Sequence, residues 1–207
     1  MFKILKMFYW SMTKKSGRWA LCQFFLKDIP GEYGIEIRRR FYKKYFGHMG
    51  ENVYIRQEVR IVNTHKLYAG DGVHIGVGNM IQAGGGVELG NHVVLGPGVR
   101  IWSMNHKFDD LEKPIMDQGY EYKKVVIGDH CWIGAGVFIM PGAVLGKGVV
   151  VSAGSVVGGK TIPPYKILAG NPARVIGSRE PSEVTVGNDE EIPSLPSNAN
   201  SNANNED

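Results

Sequence analysis

Large aliphatic residues recur every six positions in the second half of the chain: Ile127, Ile133, Ile139, Leu145, Val151 and Val157. A small or β-branched residue stands two positions before each of them: Val125, Cys131, Val137, Ala143, Val149 and Ser155. A period of six fits neither one face of an α-helix nor a meander of longer hairpins. It predicts a solenoid of short strands, with the large aliphatics inside and the glycines that often follow them at the corners.

The same pattern occurs earlier and is then interrupted. It is present at Ile75-Gly76, Ile81, Leu89-Gly90, Leu95-Gly96 and Ile101, and it is absent from residues 102–126. Long loops in compact domains are usually functional or disordered, so this loop is the first candidate for chemistry. It contains His106.

The first 50 residues have a different pattern, in which aromatic residues mix with Lys and Arg at approximate helical spacing. Breaks at Pro30-Gly31 and Gly34 predict two amphipathic helices, the second over residues 35–45. We expect them to cap one end of the solenoid, which would span residues 51–179, because a repeat stack needs its terminal core covered. Residues 180–207 are rich in Ser, Asn, Pro and acid and are predicted to be disordered.

Composition supports a mainly β fold. Of 28 glycines, 20 lie within residues 70–160. Each glycine inside a helix costs roughly 0.5–1 kcal/mol, which excludes long helices there. Two cysteines, Cys22 and Cys131, are too few for a disulfide framework and suggest a reducing compartment. No apolar run reaches the roughly 18 residues needed to span a bilayer, so we expect a cytoplasmic protein.

Charge is distributed unevenly. Residues 1–50 hold 11 Lys or Arg against 3 Asp or Glu, residues 51–179 hold 13 against 10, and residues 180–207 hold 0 against 7. The basic head is consistent with an anionic membrane surface, with nucleic acid or with a solvated helix surface. We expect peripheral contact with the inner membrane through residues 1–50, and no nucleic-acid partner.

Several motifs in the solenoid resemble one enzyme family. They are Asn105-His106-x-Phe108-x-Asp110, Pro114-Ile115-x-x-Gln118-Gly119, the segment from Ile127 to Gly134, Ala153-Gly-Ser-Val-Val157 and the segment from Ala169 to Ile176. Together they resemble the hexapeptide-repeat acyltransferases, in the sugar O-acetyltransferase group related to maltose, galactoside and capsular-polysaccharide acetyltransferases. The resemblance implies a left-handed parallel β-helix, acetyl-coenzyme A as co-substrate and a homotrimer with sites between subunits. It also implies a role in cell-surface polysaccharide biosynthesis.

The resemblance assigns roles to individual residues. His106 matches the catalytic histidine, which would act as general base for a saccharide hydroxyl. The backbone amide of Ala135 would donate to the developing oxyanion, and Trp132 would line the pantetheine channel or cover the solenoid edge. Ala153 and Arg174 match coenzyme-contacting positions, and Lys160 replaces the usual lysine at a shifted register. A second arginine of the family pattern falls on Gly177, for which Arg179 would substitute.

Other residues complete the expected site. Gln82 and Asn105 are expected on the acceptor side, where the family usually has an asparagine at the position of Gln82. Cys131 occupies a small interior position and no Gly-x-Ser-x-Gly elbow is present, so direct transfer is expected rather than an acyl-enzyme. His92 and His130 share one repeat position and are interpreted as corner residues. No cluster of ligands has zinc-site spacing, which predicts no metal.

Two other functions remain open from the sequence. The first is N-acetylation of an amino-sugar nucleotide by the same fold. The second is a solenoid that binds glycans or scaffolds partners without catalysis. The loop motif around Pro114 and Gln118 favours the O-acetylating group, and the presence of Asn105, His106 and Trp132 favours catalysis over a scaffold.

Overall fold

Three α-helices open the chain, where two were expected. The computed structural model describes residues 2–180, with the side chain of Trp10 excepted. The helices are α1 (Phe2–Thr13), α2 (Lys15–Leu26) and α3 (Gly31–Tyr42), and a 3₁₀ turn follows at Lys43–Tyr45. Apart from Glu180, the tail predicted to be disordered lies outside the described residues.

The helix breaks are partly as predicted. Pro30 is the N-cap of α3, and Gly31 has a φ of +68°. The predicted break at Gly34 is wrong, because Gly34 lies inside α3 and the helix begins four residues earlier than expected. A Cβ at Gly34 would collide with the carbonyl oxygen of Ile29, so this glycine reflects close packing and not a helix end.

The rest of the described chain winds into six coils, whose strands stack in parallel into three sheets. The first sheet contains His48–Met49, Leu67–Ala69, Val87–Leu89, Val125–Ile127, Val144–Leu145 and Thr161–Ile162. The second contains Tyr54–Ile55, His74–Ile75, Val94–Leu95, Trp132–Ile133, Val150–Val151 and Lys166–Gly170, with Ala173–Ser178 added antiparallel. The third contains Arg60–Val62, Met80–Gln82, Arg100–Trp102, Phe138–Ile139 and Val156–Val157.

This architecture confirms the parallel β-solenoid, while the left hand of the coil stays a prediction. The predicted inner aliphatics and the small residues two positions before them are all buried, and they form one continuous core with the earlier coils. Register follows the period, since Ile133 lies between Leu95 and Val151 of the neighbouring coils. The core therefore occupies the inside of the coil.

The corners use glycine for two reasons, and only one was expected. The left-handed backbone falls on Gly136, with a φ of +67°, and not on Gly134, which directly follows the strand. Gly134 is instead crowded, since a Cβ there would lie 2.6 Å from the backbone nitrogen of Ala153 in the next coil. His92 and His130 have φ of +54° and +58°, which confirms that they are corner residues.

Side chains of α2 and α3 form hydrogen bonds with backbone groups at the open edge of the first coil. The indole Nε1–H of Trp19 donates to the Ile61 carbonyl at 2.9 Å, and the Gln23 Oε1 accepts the Ile61 N–H at 2.7 Å. The buried Arg38 donates from Nε to the Ile55 carbonyl at 2.8 Å. Such contacts pair the backbone groups that a free strand edge would leave open. At the other end, Ala173–Ser178 folds back on the last coil.

The loop that was predicted over residues 102–126 leaves the solenoid at the third corner, between the third and fourth coils. Trp102 and Val125 still belong to coil strands, so the excursion comprises residues 103–124. Its two arms, Met104–His106 and Tyr120–Tyr122, form an antiparallel hairpin, and a 3₁₀ turn at Ile115–Asp117 lies between them.

Candidate active site

A buried serine anchors the excursion to the coils. The Ser103 hydroxyl donates to the Gln82 carbonyl at 2.8 Å and accepts the Gly85 N–H at 2.9 Å. The Ser103 N–H also donates to the Gln82 carbonyl, at 3.1 Å, and the Ser103 carbonyl accepts the Lys123 N–H at 3.0 Å. One small residue thus ties both arms of the hairpin to the preceding coil.

His106 lies on the first arm of the hairpin, directly opposite Tyr120. The two rings are 4.5 Å apart between centroids and tilted by 43°, so Tyr120 restricts the orientation of the imidazole. Nδ1 of His106 is buried and has no hydrogen-bond partner among residues 2–180. The arrangement leaves Nε2 as the nitrogen that reaches solvent, where it can accept a proton.

The tip of the excursion is closed by the side chain of Gln118. Its Oε1 accepts the Asp110 N–H at 3.0 Å, and its Nε2 donates to the carbonyls of Asp110 and Lys113 at 2.8 Å each. Gly119 follows with a φ of +77°, a conformation that glycine adopts without strain. These contacts give a physical reason for the Gln118-Gly119 part of the sequence motif.

The two expected acceptor-side residues lie at the base of the excursion and on its first arm. The Oε1 of Gln82 accepts the Gly84 N–H at 3.0 Å, which leaves its Nε2 as a donor. Gln82 is also the residue whose carbonyl Ser103 binds, so its side chain starts at the base of the excursion. Asn105 is exposed and directly precedes His106.

Ala135 lies at the second corner of the fourth coil, in a stack of similar turns. The Gly136 N–H donates to the Pro97 carbonyl one coil earlier, and the Gly154 N–H donates to the Ala135 carbonyl, both at 2.8 Å. The Ala135 N–H has no acceptor within residues 2–180, and the residue is exposed. The corner therefore holds a backbone donor that has no partner within residues 2–180, next to Ala153 of the following coil.

Trp132 is on the second sheet, three residues before Ala135. It stands between Val94 and Val150 of the adjacent coils and is 56% exposed. The indole is therefore directed outward from the second sheet.

Lys160 and Arg174 converge on one backbone carbonyl. The Lys160 Nζ donates to the Ala173 oxygen at 3.2 Å, and an Arg174 guanidinium nitrogen approaches the same oxygen at 3.4 Å. The structure therefore brings together two cations that are 14 positions apart. Arg179, which was expected to stand in for the arginine missing at Gly177, donates to the Gly148 carbonyl at 3.0 Å, at the first corner.

Cys131 is packed inside the coil. Its thiol donates to the Gly146 carbonyl at 3.1 Å, and burial raises the pKa of the Cys131 thiol to about 11. The thiolate is the nucleophilic form of cysteine, so this residue is unreactive at neutral pH. His92 and His130 stack in parallel at the first corner, with centroids 5.3 Å apart.

The site groups form two sets that do not meet within one chain. Gln82, Asn105 and His106 belong to the excursion at the third corner, whereas Ala135, Ala153 and Arg174 lie around the second corner. The third sheet separates the two corners. Trp132 and Lys160 belong with the second set, through the second sheet and through Ala173.

Comparison with known proteins shows which family the chain belongs to. The family model described as "Bacterial transferase hexapeptide (six repeats)" matches residues 124–159. An acetyltransferase of Escherichia coli K12, named for colanic acid biosynthesis, is 33% identical over 146 residues, which cover 70% of this chain and 77% of that protein. The chain belongs to the hexapeptide-repeat acetyltransferases.

Solved structures of this family share the fold. A maltose O-acetyltransferase from Clostridium difficile superposes with a TM-score of 0.69 at 32% identity, covering 81% of this chain and 87% of that one. A hexapeptide-repeat acetyltransferase from Vibrio cholerae, solved with acetyl-coenzyme A, gives a TM-score of 0.69 at 26% identity, covering 77% and 84%. The chain spans 63% of the length of a galactoside O-acetyltransferase from Lactococcus lactis, which is 36% identical, and 42% of another relative.

Two site features of this hexapeptide-repeat chain were not singled out from its sequence. Ser103 could have been found from the sequence, because it directly follows Trp102, the last coil residue before the interruption, where an anchor is needed. Tyr120 has none, since its position opposite His106 depends on the hairpin register. Within residues 2–180 no group of three His, Cys, Asp or Glu side chains is placed to hold a metal ion, and the metal-free reaction stays a prediction.

Proposed function

We propose that this chain transfers the acetyl group of acetyl-coenzyme A to a hydroxyl of a saccharide. The placement of His106 carries the proposal. It lies on the excursion that interrupts the coils, its ring is held against Tyr120, and Nε2 is the ring nitrogen left open to solvent. General-base catalysis by a positioned histidine contributes about 10²–10⁴ in rate.

The transfer is direct. Nε2 of His106 takes the proton of the acceptor hydroxyl while that oxygen attacks the thioester carbonyl carbon. The tetrahedral intermediate then collapses, the C–S bond breaks, and the proton passes from His106 to the leaving sulfur. The burial of Cys131 supports this route over an acyl-enzyme.

The Ala135 N–H stabilises the oxyanion of the intermediate. Such donors act best when they are fixed before the reaction begins. The hydrogen bonds on either side of Ala135 hold its peptide in the corner stack and leave its N–H open.

The coenzyme runs along the second sheet and the second corner. Trp132, exposed on that sheet, lines the pantetheine arm beside Ala153. Lys160 and Arg174, which meet at the Ala173 carbonyl, bind phosphate groups of the coenzyme. The shifted register of Lys160 does not remove it from this position, because its side chain reaches Ala173.

A homotrimer completes the site. His106 and the Ala135 amide lie at different corners of one chain, so a complete site requires the third corner of one subunit to face the second corner of a neighbour. Three subunits, each a solenoid of triangular section, form three equivalent sites around a closed three-fold axis.

The acceptor is a saccharide of cell-surface polysaccharide biosynthesis. The Nε2 of Gln82 donates to the sugar, and Asn105 contacts it from the position before His106. The maltose O-acetyltransferase likeness and the relative named for colanic acid biosynthesis support a saccharide over other acceptors.

Thiol release from acetyl-coenzyme A, measured with a panel of sugars and amino-sugar nucleotides, tests the proposal. A hydroxyl-bearing sugar should be the substrate, and His106→Ala should lower kcat by about 10²–10⁴ with unchanged thermal stability. His48→Ala is the matched control, because His48 is an exposed histidine on the first coil. Equal rates for His106→Ala and the parent would exclude His106 as the general base. Transfer to amino-sugar nucleotides alone would make the chain an N-acetyltransferase.

A further inference from the structure

α1 has no buried side. Every described side chain on it is exposed, and Phe2, Ile4 and Tyr9 are 91%, 73% and 68% exposed. At 3.6 residues per turn, Ile4, Phe8 and Met12 lie on one side of the helix, next to Leu5 and Tyr9. A short helix with an uncovered apolar stripe gains little stability in water and is typical of one that acts against another surface.

The outward side of α2 is apolar as well. Trp19, Cys22 and Leu26 pack on the solenoid core from the other side of the helix. Phe24 and Phe25 are 67% and 68% exposed and contact each other edge to face, with centroids 5.1 Å apart. Exposed aromatic residues that also pair with each other form a continuous apolar patch and not isolated positions.

The charge of the same segment has one sign. The first 27 residues contain no Asp or Glu, and they contain six cations: Lys3, Lys6, Lys14, Lys15, Arg18 and Lys27. On the helical wheel of α1, Lys6 lies beside the apolar stripe and Lys3 lies opposite it. Apolar and aromatic residues on one side with lysines at the border are typical of helices that lie in the headgroup region of a bilayer.

The length of α1 allows this helix to lie on a membrane surface but not to cross a bilayer. No helix within residues 2–180 is long and apolar enough to span a bilayer. α1 has 12 residues and is therefore about 18 Å long, against a hydrocarbon core of about 30 Å. It can be buried along its length in the headgroup region.

We propose that α1 and the outward side of α2 form a docking surface for an anionic lipid bilayer. The surface comprises Phe2, Ile4, Leu5, Phe8, Tyr9 and Met12 with Phe24 and Phe25, bordered by the lysines and Arg18. A second copy of this chain fits the surface poorly, since a two-fold contact would place the cations of both copies against each other. Anionic headgroups offer the complementary charge together with an apolar layer.

Co-sedimentation of the full chain with vesicles tests this docking. Binding should be strong to equimolar phosphatidylcholine and phosphatidylglycerol, weak to phosphatidylcholine alone, and weaker at high salt. Ile4→Glu with Phe8→Glu should lower the partition coefficient by about tenfold or more, because two apolar side chains no longer enter the bilayer. Lys3→Glu with Lys6→Glu should lower it on the mixed vesicles alone.

Arg40→Glu with Lys147→Glu is the matched control. It makes the same change in net charge as Lys3→Glu with Lys6→Glu, but at two exposed cations outside the docking surface. It should bind as the parent does. Failure of the parent chain to bind mixed vesicles would overturn the proposal, as would equal binding by the Ile4 and Phe8 variant. Self-association that depends on α1 without vesicle binding would assign the surface to a second copy. Because the readout is lipid binding, the outcome is independent of the acetyltransferase assay.

Discussion

The second corner and the excursion at the third corner present reactive groups in different ways. At the second corner the group is a backbone N–H, that of Ala135, and the stacked turns of neighbouring coils hold it by 2.8 Å hydrogen bonds on either side. In the excursion the group is the side chain of His106, and other side chains hold it in place: Ser103 at the base, Gln118 at the tip and Tyr120 against the ring.

This difference separates what the repeat supplies from what an interruption must supply. The repeat positions a backbone N–H regardless of the side chain it belongs to, since Val77, Ala135 and Ala153 occupy the same corner position in their coils. A proton acceptor needs a specific side chain at a specific place, which a six-residue repeat with an apolar interior does not offer. Substitutions at the two regions should therefore fail in different ways.

Among the substitutions that test this difference, the largest expected effect follows from removing one backbone N–H at the second corner. Ala135→Pro deletes the proposed oxyanion donor and should lower kcat by about 10²–10³. Proline fits this corner without disturbing it, because Pro97 holds the same place between two glycines one coil earlier. Melting temperature and kcat, measured together, should show an inactive but stable protein.

Two controls make this prediction specific. Ala135→Ser keeps the N–H and should transfer at the parental rate, because the side chain has no role at this corner. Val77→Pro makes the same backbone change two coils before Ala135, at the equivalent position, and should leave kcat unchanged. A folded Ala135→Pro protein with parental kcat would exclude this amide as the donor.

The two regions also differ in how far they could be predicted from sequence. The period of six predicts the coils and the buried row from Ile127 to Val157, because one position in the hexad always faces inward. The excursion is also recognisable in the sequence, because the period of six is missing there. The hairpin within the excursion, the pairing of His106 with Tyr120 and the meeting of Lys160 with Arg174 depend on register and chain reversal, which no local pattern records.

The second-largest effect should come from the anchor of the excursion. Ser103→Ala leaves the part-buried Gly85 N–H without its partner, which costs about 1 kcal/mol of unfolding free energy. It should also lower kcat per folded molecule, since His106 is three residues away. Denaturant unfolding and kcat are the measurements.

Asn79→Ala is the matched substitution for Ser103 within a regular coil. Buried Asn79 accepts the Val99 N–H at 2.7 Å, so its loss also leaves a backbone N–H without its partner. Its kcat per folded molecule should stay parental, because nothing from the excursion contacts it. If both variants lost kcat equally, anchoring of the excursion would have no separate role in positioning the base.

The smallest effect on stability should come from the tip of the excursion. Gln118→Ala removes three hydrogen bonds that lie within residues 110–118, so the coils stay intact and the unfolding free energy should change by less than about 1 kcal/mol. The hairpin opens more often, which should speed hydrogen exchange at the Lys107 amide, bonded to the Gly119 carbonyl at 3.1 Å. Because a misplaced base costs rate steeply, kcat should fall by about tenfold.

The matched control is Gln57→Ala, which changes a half-buried glutamine at the second corner. It should change neither the hydrogen exchange at Lys107 nor kcat. Unchanged exchange at Lys107 together with parental kcat would show that the hairpin arms hold His106 without their tip.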